Sequence, residues 1–135
     1  MINLFRTRGN ESILKQAVDQ KIVFCAYDDE FACGGPYAWA VSFVLAMSRA
    51  RFSTLTLVLC KGGQEKSLVA RALQESGAKV AVLDTQKVCF IEDQIHWILT
   101  QVHKFQPQVF IANLVLPALY AARWVGRAGA KTIGV

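Results

Sequence analysis

The chain has 135 residues, 53% of them hydrophobic and 19% charged, with a net charge of +5. This length fits one domain that can bury a sizeable core. The basic residues run from Arg6 to Lys131 without forming a tract, which excludes a nucleic-acid stripe. A +5 balance fits a mildly basic surface, an anionic membrane surface or a phosphate-bearing ligand.

Met1–Gly9 lacks the apolar centre of a secretory signal. No uncharged apolar run reaches the roughly 20 residues of a membrane span. Val109–Val125 comes nearest, but Asn113, Pro117 and Arg123 make it a strand followed by a helix. Cys25, Cys33, Cys60 and Cys89 form no CxxC pair, so no metal is expected. Cys25 and Cys60 sit in apolar strand-like runs, as buried reduced thiols do. The expected location is cytoplasmic, with peripheral membrane contact as an added expectation.

Residues 1–20 read as a polar leader and a short helix over Glu11–Asp19, capped by Asn10. Lys21–Tyr27 is the first strand, its apolar run suited to burial on both faces. Asp28-Asp29-Glu30 leaves the sheet, and Gly34-Gly35-Pro36 opens a helix running to about Arg51. Thr54–Cys60 is the second strand, ended by Lys61-Gly62-Gly63. Gln64–Ser76 is the next helix, closed by Gly77, and Lys79–Leu83 the third strand. Phe90–Phe105 is a helix with an apolar stripe of Ile91, Ile95, Ile98, Leu99 and Val102, stopped by Pro107. Gln108–Ala112 is the fourth strand, Pro117–Arg127 the last helix, and Lys131–Val135 a fifth strand.

Strict strand–helix alternation requires right-handed crossovers and a parallel sheet. The fold class is therefore α/β: a three-layer Rossmann-like domain over residues 21–135 with about five strands in the order 3-2-1-4-5. Ligands of such folds sit at the carboxyl ends of the strands, where the first and fourth strands diverge. Those ends carry Asp28 to Gly35 and Asn113 to Pro117.

The candidate binding residues are Gly34, Gly35, Asn113, Asp28 and Glu30. Gly34-Gly35 lets backbone N–H groups approach a phosphate or a sugar oxygen, or makes an ordinary turn. It is not G-x-G-x-x-G, so no nicotinamide or flavin cofactor is expected. Asp28, Asp29 and Glu30 suit sugar hydroxyls, a metal ion or a solvated loop. Asn113 suits a substrate hydroxyl or a cap. His96 and His103 lie two helical turns apart, too far to share one ion directly. Trp97, Phe90 and Phe105 suit packing on the sheet, or contact with lipid.

Several segments in order resemble the amino-terminal domain of family 4-like glycosyltransferases, enzymes of the GT-B architecture. They are the strand before Gly34-Gly35, the helix Tyr37–Arg51, the strand Thr54–Cys60 and the stretch Leu73–Val80 with its Gly77-Ala78. Phe105-Gln106-Pro107-Gln108-Val109 resembles the family's entry to strand four, and Gly129-Ala130-Lys131-Thr132-Ile133 its entry to strand five. Phe52-Ser53 departs from the family's Gly-His, and Gln108 replaces its Asp.

The resemblance implies a sugar transferase using a nucleotide-sugar donor and a sugar or lipid acceptor, with retention of configuration. It gives Gly34 and Gly35 a place against the donor phosphate or the acceptor. It implies that residues 21–135 are the acceptor-side half of a longer enzyme, inactive without the carboxyl-terminal donor domain and prone to self-association. Catalytic residues stay unassigned. One alternative is a non-catalytic Rossmann-like binding module, or a receiver-like one with Asp84 as phosphate acceptor. Another is a zinc-dependent deacetylase, but that family needs a histidine where Ala26-Tyr27 stands.

Overall fold

The computed structural model describes residues 20–28 and 35–135. Its elements are β1 (Lys21–Asp28), α1 (Gly35–Arg49), β2 (Ser53–Cys60), a 3-10 turn (Gly63–Lys66), α2 (Leu68–Glu75), β3 (Lys79–Asp84), α3 (Ile91–Phe105), β4 (Val109–Asn113), α4 (Leu116–Arg127) and β5 (Lys131–Gly134). The leader, the helix over Glu11–Asp19, and Asp29, Glu30, Cys33 and Gly34 lie outside the described residues.

The five strands form one sheet in the order β3-β2-β1-β4-β5, and every pairing is parallel. The α/β, Rossmann-like expectation is met in both class and strand order. β1 is central because Ile22 to Ala26 are all buried, which only a strand covered on both faces and paired on both edges can satisfy. It pairs with β2 from Lys21↔Ser53 to Asp28↔Cys60, and with β4 from Ile22↔Val109 to Ala26↔Asn113.

Alternation along the strands divides the core in two. Ile22, Phe24, Val58 and Ile111 face α1 and α2, meeting Val44, Val69 and Leu73. Val23, Cys25, Leu57, Leu59 and Phe110 face α3 and α4, meeting Ile98, Val102, Ala118 and Val125. An aromatic cluster locks α1 to β1: the Phe43 ring lies 5.2 Å from both Phe24 and Trp39. Burial pushes the Cys25 thiol far above its ordinary range, so it behaves as a small hydrophobe.

One expected element is divided. The single helix over Gln64–Ser76 is a 3-10 turn followed by α2, because Ser67 is extended (φ −87°, ψ 113°). Its hydroxyl accepts from the Ala70 N–H at 3.0 Å, so a capping serine starts a new helix where apolar spacing alone shows one. The α2 exit follows expectation: Gly77 has φ 85°, and Ala78 N–H donates to the Leu73 carbonyl. On the α3 stripe, Ile98 and Val102 are buried, whereas Ile91 is exposed.

Phe110 has no exposed surface and belongs to the α3/α4 side of the core. Phe110→Ala is expected to lower the unfolding free energy by about 3–5 kcal/mol, read from urea denaturation.

Candidate functional site

Crossovers from β1 to β2 and from β2 to β3 run over one face of the sheet, and those from β3 to β4 and β4 to β5 over the other. The loops leaving β1 and β4 therefore diverge at the carboxyl edge and open a crevice between them. This is the expected switch point, and its two faces differ.

On the α1/α2 face, Asp28, Cys60 and Asp84 stand side by side in register at the strand ends. Asp28 is 1% exposed. Its Oδ2 accepts from the Ser67 hydroxyl and from the Val69 N–H, both at 2.9 Å. The carboxylate thus sits on the first turn of α2, where the helix presents partial positive charge. A helix amino terminus can hold an anionic group; here a side chain of the chain itself occupies it. Oδ1 of Asp28 is buried and has no hydrogen-bond partner among the described residues.

Gly35 is the first residue of α1 and is exposed. Among the described residues nothing lies within 4 Å of a Cβ built there. Asn113 ends β4 on the same face and is buried. Of the five candidates, the structure thus places Asp28, Asn113 and Gly35 along one edge.

A second glycine pair has a backbone that requires glycine. Gly62 and Gly63 have φ of 93° and 76°, the left-handed region. A Cβ on Gly63 would lie 3.2 Å from the Asp84 Cβ. The Gly62 N–H donates to Asp84 Oδ1 at 3.0 Å, and the Gln86 N–H to the same oxygen at 2.9 Å. Asp84 therefore clamps the β2 exit loop to the end of β3.

On the α3/α4 face the crevice becomes a pocket of about 310 Å³. Leu59, Leu114, Leu116 and Ile91 supply apolar wall, and Tyr27, Thr85 and Gln94 supply polar groups. Gln94 is buried and oriented by its own side-chain amide, which donates to the Val88 carbonyl at 2.8 Å. Sequence reasoning does not single out these three residues. The available signal was Tyr27, the single exposed position late in an otherwise buried strand run.

A larger cavity of about 590 Å³ lies at the opposite, amino edge, where α3 and α4 end. Its residues include His103, Gln106, Gln108 and Trp124. Helix carboxyl ends carry partial negative charge, and parallel sheets bind ligands at the other edge, so the smaller pocket is the better candidate. Among the described residues no three His, Cys, Asp or Glu side chains group to hold a metal ion. Nor is any helix among them long and apolar enough to cross a membrane.

No protein-family model matches the chain. A search of curated proteins likewise finds no match. Among solved structures, the C-terminal domain of the PF1911 hydrogenase from Pyrococcus furiosus is similar, with a TM-score of 0.60 over 85% of this chain and 89% of that one. At 9% identity this likeness concerns the fold alone.

The Gln86 N–H, then those of Gly62 and Lys87 with the Lys87 charge, holds the Asp84 carboxyl below the usual carboxylate range against a partial desolvation penalty. A lowered folded pKa adds stability above the unfolded value of about 3.9, and that stability is lost as pH falls through the folded value. Asp84→Asn should therefore melt below wild type at neutral pH. The gap should narrow on acidification below about pH 4, as a pH series of melting curves would show. Asp28→Ala orphans the buried Val69 N–H and should cost about 1–3 kcal/mol in urea denaturation.

Proposed function

We propose that this domain is the acceptor-side half of a sugar-transferring enzyme and that the crevice between β1 and β4 receives the acceptor. The observation that carries this reading is the 310 Å³ pocket at the switch point, with an apolar wall and the polar groups of Tyr27, Thr85 and Gln94. Such a lining suits a neutral polyol joined to an apolar group, since hydroxyls need a few placed partners and the remainder needs dry surface. Among the described residues its lining contains no cationic side chain, so it suits a phosphate poorly.

The α1 amino terminus at Gly35 lies along the same edge, where a helix end attracts an anionic donor group. In the reaction, the bond between the sugar anomeric carbon and the nucleotide diphosphate breaks. A new bond forms to an acceptor hydroxyl, whose proton leaves to a base. A second domain would hold the nucleotide, as the resemblance to family 4-like glycosyltransferases implies.

The receiver-like alternative is less well supported. It requires Asp84 as a free nucleophile, whereas Oδ1 of Asp84 already accepts from two backbone N–H groups and anchors a glycine turn.

Titration of the isotopically labelled chain with short-chain alkyl glycosides tests the proposal. Saturable chemical-shift changes are expected at Tyr27, Thr85 and Gln94, weakened by about 2–10-fold in Thr85→Val through loss of one hydrogen bond. Gly35→Val should leave this binding and the fold unchanged, because no described residue lies within 4 Å of that Cβ. Absence of glycoside binding, or shifts confined to residues outside the pocket, overturns it.

A further inference from the structure

The charge of this chain is unevenly placed. Residues 94–135 contain no Asp or Glu and carry Lys104, Arg123, Arg127 and Lys131. Nearly all of the net charge of +5 therefore lies in this last third. The α4 helix lies within it. Pro117, Ala118, Ala121 and Val125 turn inward, which leaves Leu116, Leu119, Tyr120 and Trp124 between 45% and 54% exposed.

Arg123 and Arg127 share that outer face. Their guanidinium carbons lie 6.0 Å and 5.3 Å from the Trp124 ring. The nearest acids in sequence, Glu92 and Asp93, sit in the first turn of α3 at the carboxyl edge of the sheet. Arg127 ends α4 at the opposite edge. The exposed face is thus apolar, aromatic and basic, with no acid along its length.

We propose that the outer face of α4 docks the domain onto an anionic phospholipid surface. Charge complementarity selects the occupant. Phosphate headgroups attract an acid-free basic face, and each Lys or Arg near such a surface strengthens binding by about fivefold. Leucine, tyrosine and tryptophan enter the headgroup boundary, while arginine stems lie along it with their charges outward. A second copy is disfavoured, because a two-fold contact would gather the four arginines of two such helices in one interface with no acid on either helix to pair them. The proposal is independent of the sugar-transfer reading.

Cosedimentation of the full chain with vesicles tests it, comparing pure phosphatidylcholine with a mixture containing phosphatidylserine. Binding is expected to the mixture, lost at high salt, and absent from the neutral vesicles. The double variant R123Q/R127Q should bind about 25-fold more weakly, two charges at about fivefold each. Its melting curve should match wild type, since both side chains are exposed.

Should that variant not fold, brominated lipids decide on the unaltered chain: tryptophan emission should be quenched, and Trp124→Phe should remove the quenching. A chain that stays in the supernatant, binds both vesicles equally, or keeps unquenched emission overturns the proposal. So does a dimer in analytical ultracentrifugation that R123Q/R127Q dissociates.

Discussion

Strand β1 must satisfy neighbours on four sides at once. β2 and β4 take its two edges, and helices cover its two faces. No polar side chain can be tolerated between Ile22 and Ala26, so the strand meets water only beyond them. The chain is forced to bring its chemistry to the carboxyl end, at Tyr27 and Asp28. Because the crossovers diverge on either side of this strand, the same constraint opens the crevice there. The pocket position is thus a consequence of how the central strand is buried.

Asp28 extends that constraint to the helices. A buried carboxylate needs compensation, and the first turn of α2 supplies it through Ser67 and the Val69 N–H. The same serine hydroxyl caps the helix by accepting from Ala70. A single side chain therefore joins the end of the central strand to the start of a helix that follows a different strand. Asp84 has a comparable role at the end of β3, where it fixes the Gly62-Gly63 turn. Both acids stand at strand ends in the same register row as Cys60.

The sheet was legible because burial on two faces leaves a strong mark in sequence: continuous apolar runs separated by helical periodicity. From that mark, handedness rules narrow the strand order to a few doubly wound arrangements, of which 3-2-1-4-5 is one. Local polar chemistry was less legible. Ser67 lies within an apolar-periodic stretch, and only its role toward Asp28 and Ala70 reveals the break before α2. Spacing singled out Gly34-Gly35, yet at Gly35 the backbone makes no steric demand for glycine, whereas Gly62-Gly63 adopts a conformation that does. Tyr27, Thr85 and Gln94 meet only after three separate strand ends and helix starts are brought together, so no short motif could announce them.

The two acids also bear on what ligand this edge can accept. A helix amino terminus attracts anions, but the α2 terminus is already neutralised by Asp28 and its hydrogen bonds. A free phosphate arriving there would find the Val69 N–H already bonded to Asp28. At the α1 terminus no described residue lies within 4 Å of a Cβ at Gly35, and this helix belongs to the face opposite the Tyr27 pocket. Charge thus separates the edge into two compartments. The first suits an anionic group at α1, and the second suits a neutral, partly apolar molecule between α3 and α4. The proposed transfer from an anionic donor to a neutral acceptor would draw on that difference where the two compartments meet at the strand ends.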